Sequence, residues 1–199
     1  MESRTKVAGH PIHPMLVTFP IGLLLTAIAF DIVYLISDKP HWARMSWYLI
    51  AAGVIGGLAA AIPGWIDWLA IPRGTRAKRV GLIHGIGNVV VLGVFILSWF
   101  LRRGSVSAPP TEAVIAGLLG GGLMAVTGWL GGELVGRLGV GVDDGAHLDA
   151  PSSLSEVPAG AGLDLSRAGM SHGYWGIERR HFPQPAYSGF ERRTHGARG

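Results

Sequence analysis

The sequence predicts an all-α fold, an antiparallel four-helix transmembrane bundle followed by a disordered C-terminal tail. Four apolar stretches predict the bundle: a helix of roughly 22 residues at ~1.5 Å per residue spans ~33 Å, and the hydrocarbon core of a bilayer is ~30 Å thick. The composition changes after Val142, where Gly, Pro, Ser, Arg and His replace the apolar runs, and a segment of this kind does not bury a core of its own. We therefore assign residues 1–142 to the bundle and residues 143–199 to a disordered basic tail.

The residues between the apolar stretches set the bounds of the helices. Pro14 suits the first turn of the first helix, where its missing N–H costs nothing. The segments SDKP at 37–40 and RRGSVSAPPTE at 102–112 are turn signals between helices. The tail repeats a pattern of an aromatic residue followed by two arginines, at 174–180 and 187–193, which suits either an anionic lipid surface or a partner that recognises a linear motif. The predicted helices are residues 15–36, 47–69, 80–101 and 113–134.

Composition and charge favour an integral membrane protein. Apolar residues make up 49% of the chain against 15% charged residues, and there is no cysteine, which excludes disulfides, covalently attached haem and cysteine-ligated iron–sulfur clusters. No folded basic module accompanies the arginines, so nucleic-acid binding is not expected. Seven Lys and Arg residues flank the helices on the side of the N-terminus and four on the other side. The positive-inside rule then predicts a multi-pass protein of the inner (plasma) membrane with both termini in the cytoplasm.

Glycine pairs at a spacing of four recur along the last three predicted helices. In lipid, small residues let helix backbones approach closely. These pairs therefore predict close packing inside one bundle, or a homodimer that uses one of the glycine-rich faces. The pairs are Gly53/Gly57, Gly81/Gly85, Gly117/Gly121 and Gly128/Gly132.

Five ligand-type side chains are expected on one side of the membrane: His10, His13, Asp67, His84 and Glu133. Imidazole and carboxylate ligands suit zinc, iron or manganese, so all five are candidate metal ligands. His13 and His84, from different helices, could instead bind haem iron as two axial ligands. A structural polar cluster and a proton or ion path are the alternatives, because ionisable groups in a membrane need partners, water or a function.

Asp31 is the exception, since it lies late in the first helix and so near the opposite side of the membrane. Arg44, Arg102 and Tyr48 are expected at the same depth. We therefore expect Asp31 to form a structural pair with one of them.

Several motifs together resemble a bacterial membrane-protein family catalogued as domain of unknown function 2231. They are GHPIHPMLVTFPIGLL, GWIDW, RVGLIHGIGN and GWLGGELVGRLGVGV, and they lie within residues 7–142. The resemblance implies a four-helix membrane protein whose polar motif residues are His10, His13, Asp67, His84 and Glu133. Many members have a further histidine where this chain has Thr18. Some carry a Rieske-type or cytochrome-type domain, which implies a redox protein partner.

The sequence thus predicts an integral membrane protein whose polar cluster binds a metal or haem and serves electron transfer. The alternative is a non-catalytic membrane scaffold or partner subunit whose cluster is structural.

Overall fold

The computed structural model describes residues 1–155 and 157–161, and over these residues the chain folds into a bundle of long antiparallel helices. A two-stranded hairpin of β1 (Lys6–Val7) and β2 (His10–Pro11) precedes the bundle. Its two turn residues, Ala8 and Gly9, have φ of 49° and 79°, as a tight two-residue hairpin turn requires. The helices are α1 (Ile12–Leu16), α2 (Thr18–Ser37), α3 (Pro40–Ala70), α4 (Arg76–Leu101) and α5 (Thr111–Gly136).

The predicted four-helix bundle is confirmed, with α1 and α2 together forming the first membrane span. Four helical segments of 26 to 31 residues are long and apolar enough to cross a membrane. Pro20 has no N–H to donate to the carbonyl of Leu16, and the helix is interrupted at Val17, next to this position. Helix α3 begins at Pro40 rather than at residue 47, because the polar residues that follow Pro40 continue the helix beyond the apolar stretch. The tail repeat at 174–180 and 187–193 lies outside the described residues.

The core is a thin strip of small and medium side chains along the bundle axis. Leu24, Ile50, Val91 and Phe95 are almost fully buried there. The outer surface carries many large apolar side chains that are more than half exposed, such as Ile55. A surface of this kind is covered by lipid in a membrane protein.

Glycines let the helices pack closely around the core, as predicted for several of the pairs. A Cβ atom at Gly53 would lie 2.7 Å from the side chain of Leu24, and one at Gly57 would lie 2.6 Å from Leu92. A Cβ at Gly128 or Gly132 would meet no atom within 4 Å in the described part of the chain. The last pair therefore does not serve packing inside the described bundle.

Asp31 and Arg102 form a buried ion pair, which confirms one of the predicted pairings of Asp31. Both guanidinium Nη atoms donate to the carboxylate, at 2.7 and 2.6 Å. Asp31 is 2% exposed and Arg102 is fully buried. Ser98 and Ser46 also contact the guanidinium, at 3.2–3.3 Å. This bidentate geometry is the strong form of an Arg–carboxylate contact.

Candidate functional site

The candidate site lies where the first span begins and α3 and α5 approach their ends. His13 is in α1 and His84 is in the third turn of α4. Their rings are 6.5 Å apart between centroids and almost perpendicular, at 89°. The structure thus brings together the two histidines that the sequence pairs as haem ligands.

Each of these imidazoles is fixed by a backbone carbonyl of a neighbouring helix. Nδ1 of His13 lies 2.8 Å from the carbonyl oxygen of Ala60 in α3, and Nδ1 of His84 lies 2.9 Å from that of Thr127 in α5. A carbonyl oxygen only accepts hydrogen bonds, so both Nδ1 atoms carry the hydrogen. The second ring nitrogen, Nε2, then keeps its lone pair in the neutral form of each ring.

A glycine four residues after each carbonyl makes room for the ring. A Cβ at Gly64 would lie 2.7 Å from the ring of His13, and a Cβ at Gly131 would lie 3.1 Å from that of His84. Pro63, inside α3, has no N–H to close the helical hydrogen bond at its own turn. Each histidine therefore lies in a notch formed by a glycine of the next membrane span.

Asn88 and Thr127 surround His84 without occupying Nε2. The amide nitrogen of Asn88 lies 3.4 Å from Nδ1 and 3.3 Å from Nε2 of His84. An atom equidistant from both ring nitrogens would collide with a ring carbon in the ring plane, so it lies over the face of the ring. This amide donates instead to the backbone carbonyl of His84 at 2.9 Å, and its oxygen accepts from the Thr127 hydroxyl at 3.0 Å. Thr127 was not among the predicted site residues, and its four-residue spacing from Gly131 was the only indication of its position.

Asp67 has a different set of partners, and those within the described residues all lie in the N-terminal segment. Its carboxylate accepts from the Ser3 hydroxyl and the Arg4 amide at 2.7 Å, and from the Thr5 amide and hydroxyl at 3.2 Å. Asp67 is 9% exposed, and a carboxylate that accepts several hydrogen bonds is well stabilised when buried. Asp67 thus anchors residues 1–5 to the end of α3.

Glu133 and His10 also contact residues other than the two central histidines. Arg76 donates to Glu133 at 2.8 Å, across the ends of α4 and α5. Nε2 of His10 lies 3.1 Å from the hydroxyl of Ser153. Within residues 1–155 and 157–161, no three His, Cys, Asp or Glu side chains are close enough to share a metal ion. The structure therefore brings together His13 and His84 and leaves His10, Asp67 and Glu133 in separate contacts.

The N-terminal segment and the residues after α5 cover this end of the bundle together. The terminal ammonium donates to the carbonyl of Gly139 at 3.0 Å, and the Lys6 ammonium contacts both Glu2 and Asp143. The hydrogen bond from Lys6 lowers the pKa of Glu2 below its ordinary value, although partial burial opposes this. Burial lowers the pKa of Lys6, but the hydrogen bonds to Asp143 and Glu2 raise it by more.

The comparisons with known proteins bear on the family. No curated protein and no solved structure matches the chain. The model of a predicted membrane protein family, DUF2231, matches residues 9–144, which is more than half of the chain and includes all five candidate site residues. The chain therefore belongs to the DUF2231 family of predicted membrane proteins.

Proposed function

We propose that His13 and His84 bind a transition metal, either as a free ion or as the iron of haem, and that the bound metal serves electron transfer. The observation that supports this most directly is the pair of Nδ1–carbonyl hydrogen bonds. Metal-ligating histidines almost always donate their second ring N–H to a carbonyl, carboxylate or water, which fixes the tautomer and orients the ligating nitrogen. Both imidazoles meet this requirement before any metal binds.

The distance between the two rings is that of two ligands to one metal atom. Two imidazoles that bind one metal atom through bonds of about 2.0 Å have ring centroids up to roughly 6 Å apart, and the 6.5 Å observed is close to this limit. Two protein ligands leave coordination positions open. A porphyrin would supply four more nitrogens to iron, whereas a free copper or iron ion would add water or an external ligand. His10, Asp67 and Glu133 are the candidates for secondary ligands if their present contacts open.

The proposal also includes the membrane location of the protein and its partners. We place the protein in the inner membrane with both termini in the cytoplasm, because more basic residues flank the helices on the side of the histidines. A redox protein partner on that side would exchange electrons with the metal. The open positions Gly128 and Gly132 on α5 support a homodimer through this glycine-rich face, since small residues allow close helix contact in lipid.

Absorption spectra and metal analysis of the detergent-purified, full-length protein test the proposal. We expect either a Soret band or a stoichiometric metal, and we expect His13→Ala and His84→Ala to remove that signal. His41→Ala is the matched control, because His41 is exposed at the opposite end of the bundle. A Soret band distinguishes haem from a free ion.

The second candidate is a non-catalytic membrane scaffold or partner subunit with a structural polar cluster. It is favoured by the contacts of Asp67 with the N-terminal segment and of Glu133 with Arg76, since both carboxylates already join separate elements. If the purified protein takes up neither haem nor metal, and His84→Ala only lowers the unfolding temperature, this candidate replaces the first.

A further inference from the structure

The contacts of His13 recur around His84 at a constant distance along the chain. His84 follows His13 by 71 residues, and the carbonyl that fixes it, at Thr127, follows that of Ala60 by 67. The glycine that makes room for the ring recurs at the same offset, as Gly64 and Gly131. The same three-part arrangement of a histidine, a carbonyl and a glycine is thus present in both halves of the bundle.

The same two offsets describe the packing at the centre of the bundle. Leu24 lies against Gly53, where an added Cβ would be 2.7 Å from its side chain. Phe95 lies against Gly120, where an added Cβ would be 2.9 Å away. Phe95 follows Leu24 by 71 residues and Gly120 follows Gly53 by 67. Both large side chains are buried in the core, with exposures of 1% and 0%.

The offsets extend to the far end of the bundle. The buried ion pair joins Asp31 to the residue 71 positions later, Arg102. Ala27 and Ser98, one turn earlier, are related by the same 71 residues, and both have no exposed surface. The offset is 71 between residues of the first and third spans and 67 between residues of the second and fourth spans. It falls by four because the connection between α4 and α5 is four residues shorter, counted between equivalent positions, than the one between α2 and α3.

We infer that residues 13–67 and 84–134 are two copies of one helical hairpin, related by a two-fold axis along the bundle, and that the His13–His84 site takes one metal ion on this axis. Two unrelated helices with the same heptad periodicity would also have buried residues at matching positions. It would not repeat the hydrogen bond from His13 to its carbonyl or the contact of Leu24 with a glycine at the same two offsets. The first hairpin enters the membrane on the same side as the second, so the copies are parallel, and the axis runs along the membrane normal.

The ion on the axis rests on the proposed function, whereas the duplication does not. Equivalent positions give His13 and His84 the same distance and orientation to an atom on the axis. The two imidazoles are then equal ligands, although His84 lies deeper in α4 than His13 lies in the first span.

An exchange of residues between the two halves tests the duplication in the full-length chain. The charge exchange, Asp31→Arg with Arg102→Asp, reverses the ion pair. The serine exchange moves the two hydroxyls that contact Arg102, at Ser98 and Ser46, to the equivalent positions around residue 31. The serine exchange consists of A27S, S46A, S98A and A113S.

A two-fold axis predicts opposite effects of the serine exchange in two backgrounds. In the chain with native charges it removes two partners of Arg102 and should lower the unfolding temperature in detergent. In the charge-exchanged chain it rebuilds the same partners around the new arginine and should raise that temperature, or allow folding where the charge exchange alone does not. An effect of the same sign in both backgrounds, or loss of folding in both charge-exchanged chains, would overturn the duplication.

Titration of copper(II) or nickel(II) into the full-length protein tests the ion on the axis. We expect one ion per chain, with His13→Ala and His84→Ala weakening binding by factors that agree within about twofold. Two ions per chain, or loss of binding in one variant alone, would refute the shared ligand position. If no ion binds and the purified protein shows no Soret band, the proposed function fails, while the residue exchange still decides the duplication.

Discussion

Removal of the Arg102 guanidinium should strongly destabilise the bundle. Arg102→Met keeps an unbranched apolar chain of similar length but leaves the Asp31 carboxylate, 2% exposed, without its two hydrogen bonds at 2.7 and 2.6 Å. Breaking a buried pair by removing one partner costs about 3–5 kcal/mol, because the remaining charge stays buried. For a chain of this size, that free energy corresponds to a fall of roughly 6–20 °C in the unfolding temperature.

The matched control and a double variant separate this cause from a loss of packing. Arg103→Met removes the next, exposed arginine and should change the free energy of unfolding by less than about 0.5 kcal/mol. Asp31→Leu combined with Arg102→Met replaces the whole pair with apolar groups. It should recover most of the loss, because such replacements are neutral or stabilising in many proteins.

Thermal unfolding in a mild detergent, followed by circular dichroism, measures all three variants. A cost of less than about 1 kcal/mol for Arg102→Met would contradict an unpaired buried charge, since such a charge costs several times more. A double variant no more stable than Arg102→Met alone would also contradict it, because the loss would then come from packing rather than from an uncompensated charge.

Three further outcomes are expected around the opposite end of the bundle. Gly64→Ala forces a Cβ to within 2.7 Å of the His13 imidazole and should cost about 1–3 kcal/mol and weaken metal binding. Gly93→Ala is the control and should do neither, because a Cβ at Gly93 would meet no atom of the described residues within 4 Å. Asp67→Ala removes four hydrogen bonds to residues 3–5 and should make the N-terminal segment cleavable by trypsin within minutes; unchanged cleavage times would contradict the anchoring role. The hydrogen bond from Lys6 lowers the pKa of Glu2. The stabilisation from this bond is therefore fully present above pH 4.5, the ordinary pKa of the carboxyl group, and is lost as the pH falls through the lowered pKa. Amide-exchange protection of residues 1–11 should therefore drop below about pH 4.5, and Glu2→Gln should reduce this pH-dependent step; an identical step in the variant would refute the assignment.

The four spans and a structural partner for Asp31, among Arg44, Arg102 and Tyr48, could be predicted from the sequence, because both follow from the cost of placing polar groups in lipid. Hydropathy fixes which residues must lie in the membrane, and a lone carboxylate at membrane depth requires a cation at the same depth. The partners of Asp67 could not be predicted, since a polar segment such as residues 1–5 has no periodicity that indicates where it folds back. The start of α3 was predicted seven residues late because hydropathy follows the hydrocarbon core, whereas a helix continues into the polar layer.

The duplication of the helical hairpin could not be predicted from the sequence alone, because most equivalent positions carry different residues. Leu24 corresponds to Phe95, and Ala60 corresponds to Thr127. Among the residues that make the repeated contacts, only the histidines and the two glycine positions are identical. Contacts preserve the relation where side chains do not, since a glycine notch accepts either an aliphatic or an aromatic group from the facing helix.

The two ends of the proposed axis impose opposite requirements on equivalent residues. Two identical hairpins that paired as separate chains would place two carboxylates or two guanidinium groups together at the position of Asp31 and Arg102, and like charges buried at this distance repel strongly. Joining the halves in one chain allows these positions to differ, so that each molecule contains one acid and one base in a fixed ratio. A metal ion on the axis has the reverse requirement, because two imidazoles bind it equally well and a change in either one removes a ligand. Identical residues at 13 and 84 and complementary residues at 31 and 102 are therefore the combination expected of a fused hairpin pair with a metal at one end.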